Sequence, residues 1–451
     1  MPELLARLFG TPEASAAFGD RARLQGMLDF EAALARAEAR AGVIPAAAAA
    51  AIARQCRAES FDLAALAEGT AKAGNPAIPM IAALTARVAA DDAEAARYVH
   101  WGATSQDAMD TGLVLQLRQL AALLREDLER LSAALAGRAE EHKGTLLAGR
   151  TWLQHAAPVT LGVKIAGWLD AVERHAARLE EMLPRALVLQ LGGAAGTLAA
   201  LGAKGLEVAE ALASELGLPL PAIPWHAQRD RVAEVATFLG LLTGTLGKMA
   251  RDVSLLMQTE VAEAFEPAGE GRGGSSTMPQ KRNPVSAAVA LAAAARAPGL
   301  VSTLLSAMVQ EHERGLGGWH AEWETLPELC MVAAGALRQT VETVEGLELD
   351  PDRMRANLDV TQGRILAEAA AMALAARVGR PQAHEMVERA SRRSSETGRP
   401  LREVLAEDPA VAQHLPARDL AAVFDPRSYL GQSAAFVDRV LAARRRRREE
   451  P

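Results

Sequence analysis

Apolar residues recur at helical spacing along most of the chain. From Leu24 to Gly42 they fall three or four positions apart, and Gly42 followed by Pro45 supplies a helix stop. Between Ser60 and Ala95 the pattern is broken by Gly69, Gly74, Pro76 and Pro79, which predicts short elements with irregular connections in a smaller domain ending near Asp107. Leu113, Leu117, Leu120, Leu124, Leu128, Leu131 and Leu135 then keep one face apolar for about six turns, as a bundle helix requires. A proline-free run from Asp230 to Glu266 repeats Val235, Phe238, Leu242, Leu246, Met249, Val253 and Leu256; at about 1.5 Å per residue it predicts a helix of roughly 50 Å. Gly240, Gly244 and Gly247 share a face of that helix and would cost stability unless a second helix approached closely, which points to a tight, intersubunit bundle. After Glu348, Pro351 opens a region of shorter amphipathic units, closing on Arg444 to Arg448, which reads as a solvated tail. The expected fold is all-α in three helical domains, residues 1–107, 108–350 and 351–451, with a central long-helix bundle.

Composition narrows the function. Aromatic residues make up 4% of 451 and Ala and Leu dominate, which favours helices over strands. A net charge of −7 argues against a nucleic-acid partner, leaving room only for a local basic pocket. Cys56 and Cys330 are isolated, so neither a disulfide framework nor a zinc site is suggested, in keeping with a reducing cytoplasm. The first ten residues carry Glu3 and Arg7 and have no apolar signal core. The most apolar stretches, around Leu187 to Gly202 and Val285 to Ala295, contain polar residues or are cut short by charge, so no membrane partner is expected. His142, His175, His226, His312, His320, His384 and His414 show no metal-ligand spacing, and no metal is implied.

One stretch stands out from its helical surroundings. Gly271 to Pro284 reads GRGGSSTMPQKRNP: three glycines give a mobile loop, and Lys281, Arg282 and Asn283 stand just before an Ala-rich helix from Ser286. Cations and amide donors beside a helix N-terminus favour an anion, so a carboxylate site is the natural reading.

The string GSSTMPQKRNP resembles the signature loop of the fumarase/aspartase superfamily, GSSxMPxKxNP. HWGATSQDAMDT, His100 to Thr111, is similar to its first signature, and RTWLQHA, Arg150 to Ala156, stands in the place of the second, RTHxQxA. Resemblance implies a homotetramer, active sites assembled from signature regions of different subunits, no cofactor, and a small polycarboxylate substrate. The implied chemistry removes a proton beside a carboxylate, forms a doubly charged intermediate, and expels a group from the neighbouring carbon. Such charge needs preorganised donors. By motif position Ser275 corresponds to the catalytic base, activated by the Lys281 charge; Ser276 and Asn283 hold substrate, as do Thr104 and Ser105 of the first signature and Gln154 of the second. His100 and His155 are assigned to the substrate on their positions in the signatures, with a hydrogen-bonded structural histidine as the alternative.

Trp152 is the departure. Lyases of the superfamily that expel nitrogen carry a histidine there, whereas a carboxylate leaving group, with a pKa of about 4, needs no general acid. Trp152 can then form an apolar wall beside the substrate. Together with LGGAAGTLAALG, Leu191 to Gly202, and EHERGLGGWHAEW, Glu311 to Trp323, this resembles the bacterial 3-carboxy-cis,cis-muconate cycloisomerases, which form a lactone in the breakdown of aromatic acids. Arg314, and the pair Gln228 and Arg229, are expected to hold substrate carboxylates. The rival readings are an adenylosuccinate lyase-like enzyme and a non-catalytic helical scaffold.

Overall fold

The computed structural model describes residues 3–269, 273–274 and 277–449. Among them are nineteen α-helices and four short strands, the strands paired antiparallel in two sheets of two. The chain forms two compact units, each built from separated segments. The first contains the residues up to Leu128, His175–Lys248 and Ala288–Gln339; the second contains Glu129–Arg174, Met249–Ala287 and the residues from Thr340 on. The borders of these units do not fall at 107 and 350, which stand instead beside the starts of helices Ser105–Glu141 and Pro351–Asp359.

In the first unit, helix Asp20–Arg40 buries Leu24, Met27, Leu28, Phe30 and Leu34, and on the same face two acids, Glu31 and Glu38. It crosses helix Ser105–Glu141 closely enough that a Cβ on Gly26 would lie 2.9 Å from the Gly112 carbonyl oxygen. The leucine stripe from Leu117 to Leu135 is buried as the pattern predicts. The long glycine-bearing helix runs from Asp230 to Leu256, shorter than expected; the chain then turns, with Ala262 at φ 51°, into the strand Ala264–Phe265. The close neighbour its glycines call for is in the same chain. A Cβ on Gly240 would meet Val301 at 2.9 Å and one on Gly247 would meet Ala294 at 2.5 Å, both on helix Val285–Ser306, while Gly244 faces open space.

That partner helix corrects another expectation. It continues past Ala295 through Arg296 and Pro298, and by length and composition it is apolar enough to cross a membrane. Arg296 interrupts the apolar sequence but not the helix, since arginine is a good helix former, and its guanidinium is paired with Glu328 of helix Gly318–Glu345.

In the second unit, β1 (Leu146–Thr151) and β2 (Gln154–Thr160) form a hairpin, and helices from Ala367 to Val423 enclose a core that includes Leu374, Met386, Leu401 and Leu405. The terminal arginines, exposed from Arg445 to Arg448, are helical rather than a loose tail, and some of them are paired. They lie on helix Ser433–Glu449, where Arg444 donates to Ser132 at 2.7 Å and Arg447 reaches Glu173 at 3.4 Å, and Arg448 pairs with Glu129. One face of the run is therefore committed to acidic partners.

Candidate active site

The first signature region lies in the first unit, where a short 3-10 turn ends at Tyr98 and the backbone passes through left-handed His100 (φ 58°) and Gly102 (φ 71°) before helix Ser105–Glu141 begins. Asp107, fully buried in the first turn, ties this entry down. Its Oδ2 accepts the Thr104 and Gly193 N–H groups, each at 2.9 Å, and its Oδ1 accepts the Gly192 N–H at 2.9 Å and contacts His226 Nε2 at 2.7 Å. One carboxylate thereby joins the first signature, the LGGAAG turn and His226. Gly192 is required there, since a Cβ would lie 2.8 Å from the imidazole. Thr104 and Ser105 are half-buried at the start of a long helix, where backbone N–H groups and hydroxyls together favour an anion.

Around this entry, Gln106 donates to Asp110 at 3.1 Å and to the His226 carbonyl at 2.9 Å, and its own oxygen accepts from Arg314 at 3.1 Å. Arg314 also donates to the Ala194 carbonyl at 3.1 Å. The structure thus brings Arg314 to the first signature, as a clamp between it and the 191–196 turn. His100 points its Nδ1 at Glu31, 2.6 Å away. Burial opposes a charged imidazole, but the charge and hydrogen bond of Glu31, with Asp107 behind them, outweigh it and raise His100 above the ordinary histidine value.

Gln228 and Arg229 separate. Gln228 is exposed, whereas Arg229 is one of the most deeply buried side chains. Its guanidinium is held by Asp110 through two bonds of 2.7 and 3.0 Å and by Glu322 through Nε at 2.9 Å, and it stacks over the Trp225 ring at 4.9 Å. Trp319 Nε1 donates to the same Asp110 at 3.2 Å. Burial opposes the charge, but the two carboxylates outweigh it and hold the group firmly cationic. Arg229 is corrected from a substrate-binding residue to the centre of a buried ion triad, because a guanidinium in an apolar core must satisfy its donors locally.

In the second unit, β1 and β2 are joined by Trp152 and Leu153, at φ 52° and 63°. Left-handed backbone at both positions of a two-residue turn is the type I′ geometry, normally filled by Asn-Gly, so these two residues carry backbone strain. Trp152 is 98% exposed and Leu153 72% exposed at the hairpin tip; within the chain Trp152 is neither a core residue nor part of a wall. Gln154 is exposed and His155 half-buried. Burial, and then Arg150, hold His155 below the ordinary histidine value. Arg150 is fastened to buried Glu263 by bonds of 2.8 and 2.7 Å, and Asn357 donates to the same carboxylate at 2.8 Å.

The third signature loop is in the same unit; Gly271, Ser275 and Ser276 lie outside the described residues. Asn283 ties its ends together, its N–H 2.8 Å from the Gly273 carbonyl and its amide 3.3 Å from that of Gly274, while Lys281 is exposed. The helix N-terminus behind this loop does hold a carboxylate, but it is the protein's own. Buried Glu266 accepts the N–H groups of Ser286 at 3.0 Å and Ala287 at 2.7 Å. The expected anion site at that helix end is corrected accordingly; among the described residues Lys281 and Asn283 are the expected substrate donors on this loop.

Sequence reasoning passed over Glu31, Asp107 and His226. Glu31 carried a signal: it interrupts the apolar face of the first long helix. Asp107 lay inside a quoted motif, and His226 had none.

The family model described as lyase matches residues 9–299, and that described as adenylosuccinate lyase C-terminus matches residues 363–440. The chain is 63% identical to the 3-carboxy-cis,cis-muconate cycloisomerase of Pseudomonas aeruginosa over 98% of this chain and 96% of that protein. It is 56% identical to the enzyme of that name from Bradyrhizobium diazoefficiens, over 97% of each. The crystal structure of the 3-carboxy-cis,cis-muconate lactonizing enzyme from Pseudomonas putida superposes with a TM-score of 0.94 at 55% identity, covering 98% of this chain and 99% of that one.

Proposed function

The chain belongs to the lyase family of the fumarase/aspartase superfamily, and we propose that it lactonises 3-carboxy-cis,cis-muconate. A carboxylate oxygen adds to one carbon of a double bond, closing the ring, and the neighbouring carbon takes up a proton. The observation that carries this reading is likeness along the whole chain, 63% identity over 98% of it, to a cycloisomerase of that name.

We assign the proton to Ser275. Run backwards, the reaction removes it from a carbon whose carboxylate becomes doubly charged, so donors must face that carboxylate. Lys281 and Asn283 serve there, with Ser276. Thr104, Ser105, His100 and Arg314 receive a second carboxylate, supported by the helix start, the raised His100 and the clamp of Arg314 on Gln106. Gln154, His155, Gln228 and Trp152 complete the set as substrate contacts. Trp152, exposed on its hairpin tip, serves in the assembled oligomer.

The same reading makes the protein a homotetramer in the cytoplasm. With 28% of its most apolar window buried within the chain, helix Val285–Ser306 calls for cover by another copy, and the free thiols of Cys56 and Cys330 are buried, which suits a reducing compartment. The test is ultraviolet assay of the purified protein with 3-carboxymuconate, unsubstituted muconate and adenylosuccinate. Loss of the first alone is expected; turnover of adenylosuccinate instead would overturn the assignment.

A further inference from the structure

The mechanism leaves one buried acid without a task. Glu31 is 1% exposed in the inward face of helix Asp20–Arg40. Its Oε1 lies 2.6 Å from His100 Nδ1, and its Oε2 is buried with no hydrogen-bond partner among the described residues. An acid at such depth either stays protonated, as its neighbour Glu38 does, or stands beside a compensating cation, and His100 is the group that Glu31 touches. The His100 side chain keeps 14% exposure, so it is not closed off from the surface of the unit on every side. The backbone is bent to make this contact, with His100 left-handed at φ 58° four residues before Thr104.

We propose that Glu31 is a positioning residue: it holds His100 as an imidazolium, accepting Nδ1–H inside the unit while Nε2–H is turned outward to a carboxylate of the substrate. This rests on the polycarboxylate reading above. The groups facing the pair are few. Asp107 on helix Ser105–Glu141 adds negative charge on the side of His100. Beyond Glu31 lie Glu38, pushed up to about 9 by burial and by Glu31 itself, and Cys56, whose thiol burial raises far above neutrality. Both are uncharged at neutral pH, which leaves Glu31, 2.6 Å from Nδ1, as the acid in direct contact with the imidazole.

The experiment uses full-length protein and the variants Glu31→Gln and Glu31→Asp. Histidine Cε1 resonances followed by NMR across pH give the His100 titration, assigned with His100→Asn. The titration of His100 should move down in Glu31→Gln and return part of the way in Glu31→Asp. With 3-carboxymuconate near pH 7.5, Glu31→Gln should raise KM about tenfold or more, the worth of one charge-assisted hydrogen bond, with kcat changed far less. The penalty should shrink toward pH 5.5, where an unassisted imidazole takes up its own proton. A merely structural role would lower the melting temperature without making KM depend on pH. An unmoved His100 titration in Glu31→Gln, or a moved titration with unchanged KM, overturns the proposal. Absence of muconate turnover by the parent protein would sink the functional reading and the substrate-facing role together, while the titration would still decide whether Glu31 charges His100.

Discussion

Arg229 grips Asp110 through two parallel hydrogen bonds, 2.7 Å from Nη1 to Oδ2 and 3.0 Å from Nη2 to Oδ1, in a setting with almost no solvent contact. Glu322 closes the triad from the other side, its own carboxyl raised by burial in spite of the arginine. Removing one member leaves a buried charge uncompensated, which costs about 3–5 kcal/mol. Arg229→Gln should therefore lower the urea midpoint severely, and the folded fraction should keep a near-normal KM. A variant that stays stable but loses substrate affinity would return Arg229 to the binding site.

Ser275→Ala should reduce turnover of 3-carboxymuconate by at least roughly two orders of magnitude, since a proton-transfer group typically contributes about 10²–10⁴-fold. Thermal stability should hardly change, because a loop serine adds little to packing. Near-normal turnover would remove Ser275 from the mechanism.

The helices were legible because the leucine and glycine patterns are local. The stripe from Leu117 to Leu135 is buried as its period requires, and Gly240 and Gly247 meet a second helix as their missing side chains demand. What sequence could not reveal were the partners of charged groups. Nothing in the string KRNP tells that Glu266, some twenty positions before the helix, already occupies its N-terminal N–H groups. Arg229 read as a free cation because Asp110 and Glu322 are distant in the chain, and a long-range ion pair leaves no periodicity. The Arg444 to Arg448 run misled in the same way. The hairpin was missed for a local reason: Trp152 and Leu153 are poor turn residues, and only the folded backbone reveals that they adopt left-handed angles.

Glu38 makes a prediction about pH. It is fully buried, neither carboxyl oxygen has a hydrogen-bond partner among the described residues, and burial, aided by Glu31, lifts it to about 9. With the folded value raised above the unfolded one, the protonated acid is tolerated fully at pH below about 4.5, and that stability drains away as pH rises toward 9. Glu38→Met removes the unpartnered polar group, and should stabilise by about 1–3 kcal/mol near pH 8 and by less at pH 5. Parallel pH–stability curves for the parent and the variant would show that Glu38 ionises normally.

Trp152 tests the leaving-group argument. The side chain is 98% exposed at φ 52°, so it contributes nothing to packing in the chain that carries it, and its backbone is strained. Trp152→Gly should accordingly leave the melting temperature of the fold unchanged or raise it, because glycine adopts left-handed angles without the Cβ clash, while muconate turnover falls through lost apolar contact, at about 25 cal/mol per Å². Trp152→His restores the residue that nitrogen-expelling lyases carry at this place. If carboxylate addition needs no general acid, the histidine should weaken substrate binding without raising kcat, and the pH profile should gain no new limb. A rise in kcat with Trp152→His would mean that proton donation at the hairpin tip is limiting, and the physical reason for preferring a cycloisomerase over a nitrogen-expelling lyase would fail.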